Sequence, residues 1–231
     1  YTRSQPALLK LLRRLGMPTN QKTKPSPTCR RNKPYEQMSR PGERIQIDVK
    51  YVPKDCLSIE FRERYSLSRL YQYTAIDEYS RYRILSGYLE HDTYASSLFL
   101  CQVASSFKAL GIEVECVQTD NGMEFTKQFI AKSENNHSMF EVTAKRLGIR
   151  IKRIKPATPK HNGKVERSHR EDQRLLYSEI VRTGKLITDV KDFKRRLKRH
   201  QDKTNNRPMR PLGYLSPNDY LKQYKHKQSI K

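Results

Sequence analysis

At 231 residues with 35% hydrophobic content, the chain has room for one main domain with flanking segments around a compact core. Its formal net charge of +23 points to a polyanionic partner, nucleic acid before an anionic membrane surface. No run of about 18 apolar residues exists to span a bilayer, and the leucines of the opening stretch are interrupted by Lys10, Arg13 and Arg14, unlike a signal peptide.

The charge is unevenly placed. Residues 1–40 hold ten Lys/Arg against the single acid Glu36, and residues 185–231 hold fourteen against four. The middle, 41–184, keeps 23 basic and 19 acidic residues. A nearly balanced core with a basic arm at each end follows, the arms suited to sequence-independent, salt-sensitive phosphate contacts. The four cysteines, Cys29, Cys56, Cys101 and Cys116, form no close pair, so they read as intracellular thiols rather than a zinc knuckle or a disulfide framework. The chain begins at Tyr1 rather than Met, which suggests a piece of something longer.

In chain order, residues 1–17 carry Leu8, Leu9, Leu11, Leu12 and Leu15 on one broad helical face. Five prolines between 18 and 41, set among Lys, Arg, Ser and Thr, predict an extended basic linker. The stretch "RIQIDVKYV", 44–52, alternates strictly and predicts a half-buried strand with Asp48 on its polar side. Residues 71–90 predict two strands around a turn at Glu78 to Arg81. A helix over 93–110 stops at Gly111, and a short strand over 112–122 runs into Asp120-Asn121-Gly122. A short helix over 140–148 and an alternating strand over 149–156 follow. An amphipathic helix is predicted from about residue 161 to Val181, and a basic helix over 188–203. The order β, β-hairpin, α, β, α, β, long α predicts an α/β fold, a mixed sheet with helices on its faces.

That topology would bring two strand-borne aspartates, Asp48 and Asp120, toward the helix-borne Glu166. Carboxylates on rigid elements suit Mg²⁺ or Mn²⁺, which prefer oxygen ligands and leave positions open for water and phosphate. Two such ions can serve an in-line displacement at phosphorus. Every chain contains many Asp and Glu, so the surrounding motifs must select these three.

They do so by resemblance. "RPGERIQIDVKYVP", "VQTDNGMEF", "PATPKHNGKVERSHR" and the closing "NNRPMRPLGYLSPNDYL" resemble the catalytic core of DDE transposases of bacterial insertion sequences and of retroviral integrases, over about Pro41 to Leu221. The resemblance implies a ribonuclease H-like fold, two Mg²⁺ or Mn²⁺ ions per active site, and DNA strand transfer in a synaptic homo-oligomer acting in the bacterial cytoplasm at the nucleoid, with no membrane partner. It assigns Asp48, Asp120 and Glu166 as catalytic metal ligands, and Asn162, Lys160, Lys164, Arg167, Arg170 and Gln173 as DNA contacts. Asn162, Glu166, Arg170 and Gln173 share one helical stripe. It divides the chain into a basic linker, 1–40, ending an upstream DNA-binding domain, a catalytic core, 41–184, and a basic helical extension, 185–231. Forty-five residues separate Asp120 from Glu166, more than in many members, with the extra length expected in a surface loop over 130–138.

Plainer roles stand beside these. Asp120 is also a good turn former, and Asp77 is expected to bond turn amides rather than a metal. Glu124 is expected to cap or flank the site, His161 to be a DNA or substrate contact or simply solvated rather than a general base, and His169 to be a helix-face residue rather than a ligand. The competing functions are a non-catalytic basic nucleic-acid-binding protein, including a transposase that has lost its chemistry, and a nuclease of the same fold.

Overall fold

Alternating Ile45, Ile47 and Val49 set β1 (Ile45–Tyr51) at the centre of a five-stranded sheet. In this computed structural model, residues 4–17, 36–66, 69–126, 137–154 and 162–229 are described. The chain divides into two units, Tyr1–Glu36 and Gln37–Lys231. The first contains α1 (Gln5–Arg14), begun by a proline in its first turn and ended by Arg13 and Arg14, whose charges suit the helix C-terminus.

In the second unit, β1 pairs antiparallel with β2 (Tyr71–Asp77), which pairs antiparallel with β3 (Arg83–Tyr88). On its other side β1 runs parallel to β4 (Cys116–Thr119), and β4 parallel to β5 (Arg150–Arg153). The order is β3-β2-β1-β4-β5. The β2–β3 hairpin turns where predicted. Asp77 is its brace, accepting from Ser80 N (2.7 Å), Ser80 Oγ (2.6 Å) and Gly42 N (3.0 Å).

Helices cover both faces. On one, α3 (Thr93–Ala109) and α4 (Met139–Arg146) bury Phe99, Val103, Phe107 and Phe140 against Ile45, Ile47 and Val117. Asp92 caps α3, and Ser138 with Glu141 forms a capping box on α4. The other face carries α2 (Ile59–Tyr65), α5 (Gly163–Asp172), α6 (Ser178–Thr183) and α7 (Val190–Asn205), with Phe61, Tyr177, Ile180, Phe193 and Leu197 in a second apolar cluster. A last helix, α8 (Pro217–Ser229), returns Leu221 to the first cluster. No helix among the described residues is long and apolar enough to cross a membrane.

Two expectations are corrected. The polar side of β1 is not a solvent face. Gln46 is buried there and accepts a hydrogen bond from Val165 N (3.1 Å), and Gln72 and Thr74 on β2 are buried too. A buried polar layer of this kind persists because each group finds a partner.

The single helix expected from about 161 to Val181 is instead α5, a π-helical turn over Gln173–Tyr177, and α6. Asp172 accepts from Gln72 Nε2 (2.7 Å), and the Tyr177 hydroxyl donates to Oε1 of the same Gln72. Five residues along a regular α-helix rotate roughly 140° away from the starting face. The wider π turn restores both side chains to the sheet.

The sheet edge at β3 is closed by side chains of α7. Asn205 exchanges two hydrogen bonds with the Arg83 backbone (2.9 Å each), and Gln201 Oε1 accepts from Leu85 N (2.8 Å). These contacts occupy the start of the edge ladder, at Arg83 and Leu85, and so limit what β3 offers another chain.

Candidate active site

Parallel pairing of β1 with β4 sets the site. Gln46 is opposite Gln118, and Asp48 and Asp120 each lie two residues further along their chains. Asp120 opens the turn after β4, accepts from Gly122 N (3.0 Å), and is followed by Asn121, whose Nδ2 donates to Ile154 O (2.9 Å). The turn-former role of Asp120 and its place beside Asp48 therefore coexist.

Glu166 lies in the first turn of α5, exposed, while Asp48 is half-buried. Burial, then the negative charge of Asp120, and further the charges of Glu166 and Glu124, push the Asp48 carboxyl up to about 7, against a hydrogen bond from Val49 N (2.9 Å). Asp120 is also shifted upward, by burial and by Glu124, against the Gly122 amide. Carboxylates that raise one another in this way share a field of one sign. That donor set suits a hard divalent cation by chemistry. Among the described residues, no three His, Cys, Asp or Glu side chains are drawn into a group at ligating distance.

Two histidines border the acids, and sequence reasoning gave neither a place there. His169 Nδ1 is 3.5 Å from Asp48 Oδ2, and burial drives the imidazole down to about 3, so the contact is one of a neutral ring rather than an ion pair. On the other side, His91 Nε2 lies 2.8 Å from Glu124 Oε1; that carboxylate raises the His91 pKa against the opposing effect of burial. Glu124 thus flanks the site, as expected. His91 stands one residue before the cap of α3, and nothing local in the sequence marks it.

The helix is anchored at both ends. Lys164 Nζ lies 2.7 Å from Glu78 Oε2, and Lys50 Nζ donates to His169 O (3.3 Å). Lys164, expected on DNA, is thus engaged by Glu78, a buried acid that also takes Arg44 Nε (2.7 Å) and Gln46 Nε2 (3.0 Å). Arg167, Arg170 and Gln173 are exposed. Asn162 is buried at the head of α5, and its Oδ1 has no hydrogen-bond partner among the described residues. Lys160 and His161 lie outside the described residues, as do residues 130–136 of the loop expected over 130–138.

Residues 38–159, more than half of the chain, match the family of the integrase core domain. The chain belongs to that family. Its match spans Asp48 and Asp120 and stops before Glu166. Among curated proteins, this integrase-core chain is similar to the transposase for insertion sequence element IS4351 of Bacteroides fragilis, 30% identical over 117 residues. The matched region is 51% of this chain and 30% of that protein, so the chain spans under a third of the relative's length.

Among solved structures it is similar to the catalytic core domain of BIV integrase, with a TM-score of 0.55, 18% identity and coverage of 81% of this chain and 99% of that one. It is also similar to a chain of the simian T-cell lymphotropic virus intasome in complex with PP2A regulatory subunit B56 gamma, with a TM-score of 0.52, 20% identity and coverage of 78% and 57%. The shared architecture is the ribonuclease H-like one, a mixed five-stranded sheet flanked by helices.

Proposed function

We propose that this chain is the catalytic part of a DNA transposase, which cleaves at transposon ends and joins the freed 3′ ends to target DNA. The observation that supports the reading is the placement of Asp48 on β1 and Asp120 just past the end of the parallel β4 at the same level, with Glu166 close enough for its charge to act on Asp48. The family match and the similarity to an insertion-sequence transposase support it from a second direction.

Asp48, Asp120 and Glu166 would hold divalent metal ions, Mg²⁺ or Mn²⁺, two per site. When bound, these supply Lewis-acid activation of the attacking oxygen and stabilisation of the leaving one. In the first step a water oxygen bonds to phosphorus at the transposon end, the P–O3′ bond breaks, and the departing oxygen takes a proton to become a 3′-OH. In the second, that 3′ oxygen attacks a target phosphodiester in the same site, displacing the target's own 3′ oxygen. No covalent intermediate with the protein forms.

The chain's residues orient this chemistry. Lys164 and Lys50 anchor α5, the helix that carries Glu166, and Arg167, Arg170 and Gln173 would be its exposed contacts to DNA. In this reading 41–184 is the catalytic core, and the basic segments 1–40 and 185–231 add phosphate contacts. Joining two ends to one target requires at least a dimer.

The test is strand transfer of a labelled duplex end into plasmid DNA with Mg²⁺ or Mn²⁺, beside Asp120→Asn. Joined product that disappears in the folded variant, while DNA binding persists, supports the transposase. Cleavage without joining identifies a nuclease, and salt-sensitive binding with neither reaction identifies a non-catalytic DNA-binding protein.

A further inference from the structure

Beside α5 lies a cleft of about 570 Å³ that the three carboxylates do not line. Arg167, Glu171 and Arg174, spaced i, i+4, i+7, form one wall, Arg83 at the start of β3 contributes a second, and the 207–211 segment a third. Glu166, Arg170 and Gln173 belong to the neighbouring stripe of the helix and are absent from the lining. Seven cations line the cleft against one carboxylate, Glu171.

That single acid is already taken, since Arg207 Nη2 lies 3.0 Å from Glu171 Oε2. Arg167, Arg174 and Arg210 are exposed, with no hydrogen-bond or ion-pair partner among the described residues. An independent sign comes from Arg83. Its side chain is buried and Asp172 satisfies Nη2, yet Nε and Nη1 have no partner among the described residues. Buried unsatisfied guanidinium donors, backed by free guanidinium groups at the rim, are the converse of a phosphate's requirements: planar forks that bind its oxygens in pairs.

Arg174 lies eight residues beyond Glu166 on the same helical run. That is roughly 12 Å along the axis, which a duplex strand covers in about three or four base pairs. DNA seated at Glu166 therefore has a short path across the helix to the cleft.

We propose that this cleft is a second DNA-backbone site, holding phosphodiesters of the duplex as it leaves the three acids, with Arg174 and Arg210 as its principal contacts. The inference rests on the transposase reading, which gives Arg167 and the basic 185–231 segment to DNA, and deepens it by naming the cleft in which Arg174 and Arg210 meet the backbone.

The experiment is fluorescence anisotropy of the full chain with a labelled duplex of about thirty base pairs, sized to several helical turns, over a salt series in EDTA. It compares wild type, R174A/R210A and the control K108A/K145A, two exposed lysines on α3 and α4, each checked for folding by circular dichroism. Each lost phosphate contact reduces the slope of log K against log salt by about 0.9. The cleft variant should lose about 1.8 of slope and on the order of tenfold in affinity near 0.1 M salt, and the control less than half of either.

An unchanged slope in R174A/R210A, or an equal loss in the control, overturns the proposal. Wild type that binds no duplex at all overturns the transposase reading and this inference together. Binding by wild type with an unaltered cleft variant overturns this inference alone.

Discussion

Lys164 Nζ lies 2.7 Å from Glu78 Oε2, which ties the helix carrying Glu166 to the β2–β3 hairpin two residues ahead of its acid. Glu78 is fully buried and also faces Arg44 and Gln46, so three side chains depend on one carboxylate. Glu78→Gln leaves the buried Arg44 and Lys164 charges unbalanced and should cost about 3 kcal/mol. Lys164→Ala, which removes the more accessible partner, should cost about 1 kcal/mol. Urea unfolding of both variants checks the order; equal losses would show that Glu78 acts through Lys164 alone.

Asp172 predicts a pH dependence. Burial by itself would raise its pKa, but hydrogen bonds from His200, then the charge and bonds of Arg83 and the Gln72 amide, hold it well below the ordinary carboxylate range. A carboxyl depressed in the folded state stabilises above its unfolded value, near 4, and loses that contribution as pH falls toward the folded one. Asp172→Asn should cost about 3 kcal/mol at pH 7 by leaving Arg83 buried without its counter-charge. The difference from wild type should narrow at the lowest pH at which both remain folded, measured by urea titration at several pH values.

Asp48 works in the opposite sense. Its pKa is raised to about 7, so ionising it opposes folding increasingly as pH rises from the unfolded value near 4 to about 7, and by a constant amount above. Without metal, Asp48→Asn should therefore raise stability at pH 8 by about 1 to 2 kcal/mol and leave it nearly unchanged at pH 4. Added Mg²⁺ or Mn²⁺ should raise the melting temperature of wild type and not of the variant. Thermal melts with and without the ion read both effects, and an equal metal response in the two proteins would remove Asp48 from the ligand set.

Gly87 on β3 lies directly under Phe193 of α7. A Cβ built at that position would overlap the Phe193 ring, whose side chain is fully buried and cannot swing away. Gly87→Ala should cost about 1 to 3 kcal/mol through overpacking. A near-neutral result in a denaturant titration would mean that α7 shifts freely on β3.

Much of the framework was legible because it is local. Strict alternation marked β1, and Gly111 and Gly148 ended helices as Cβ-free residues at positive φ do. The motif blocks around Asp48, Asp120 and Glu166 pointed to one family, and the match over 38–159 agrees. The short helix α2 was missed because its seven residues carry little periodic signal. The π turn was missed because its cause lies in Gln72, 100 residues before Asp172 and 105 before Tyr177.

What the sequence by itself determined was where most of the strands and helices lie, where the charge gathers, and which acids lie in the recognisable motifs. Tertiary structure alone decided what the polar face of β1 meets. Alternation separates polar from apolar positions, but it cannot tell a face turned to water from one covered by a polar helix. Gln46, Gln72, Arg83 and Asp172 are buried because α5 and α7 bring partners from distant segments. The same long-range packing set His169 beside Asp48, committed Lys164 to Glu78, and left Arg174 and Arg210 facing an open cleft, since hydrogen bonds and charges act through space rather than along the chain.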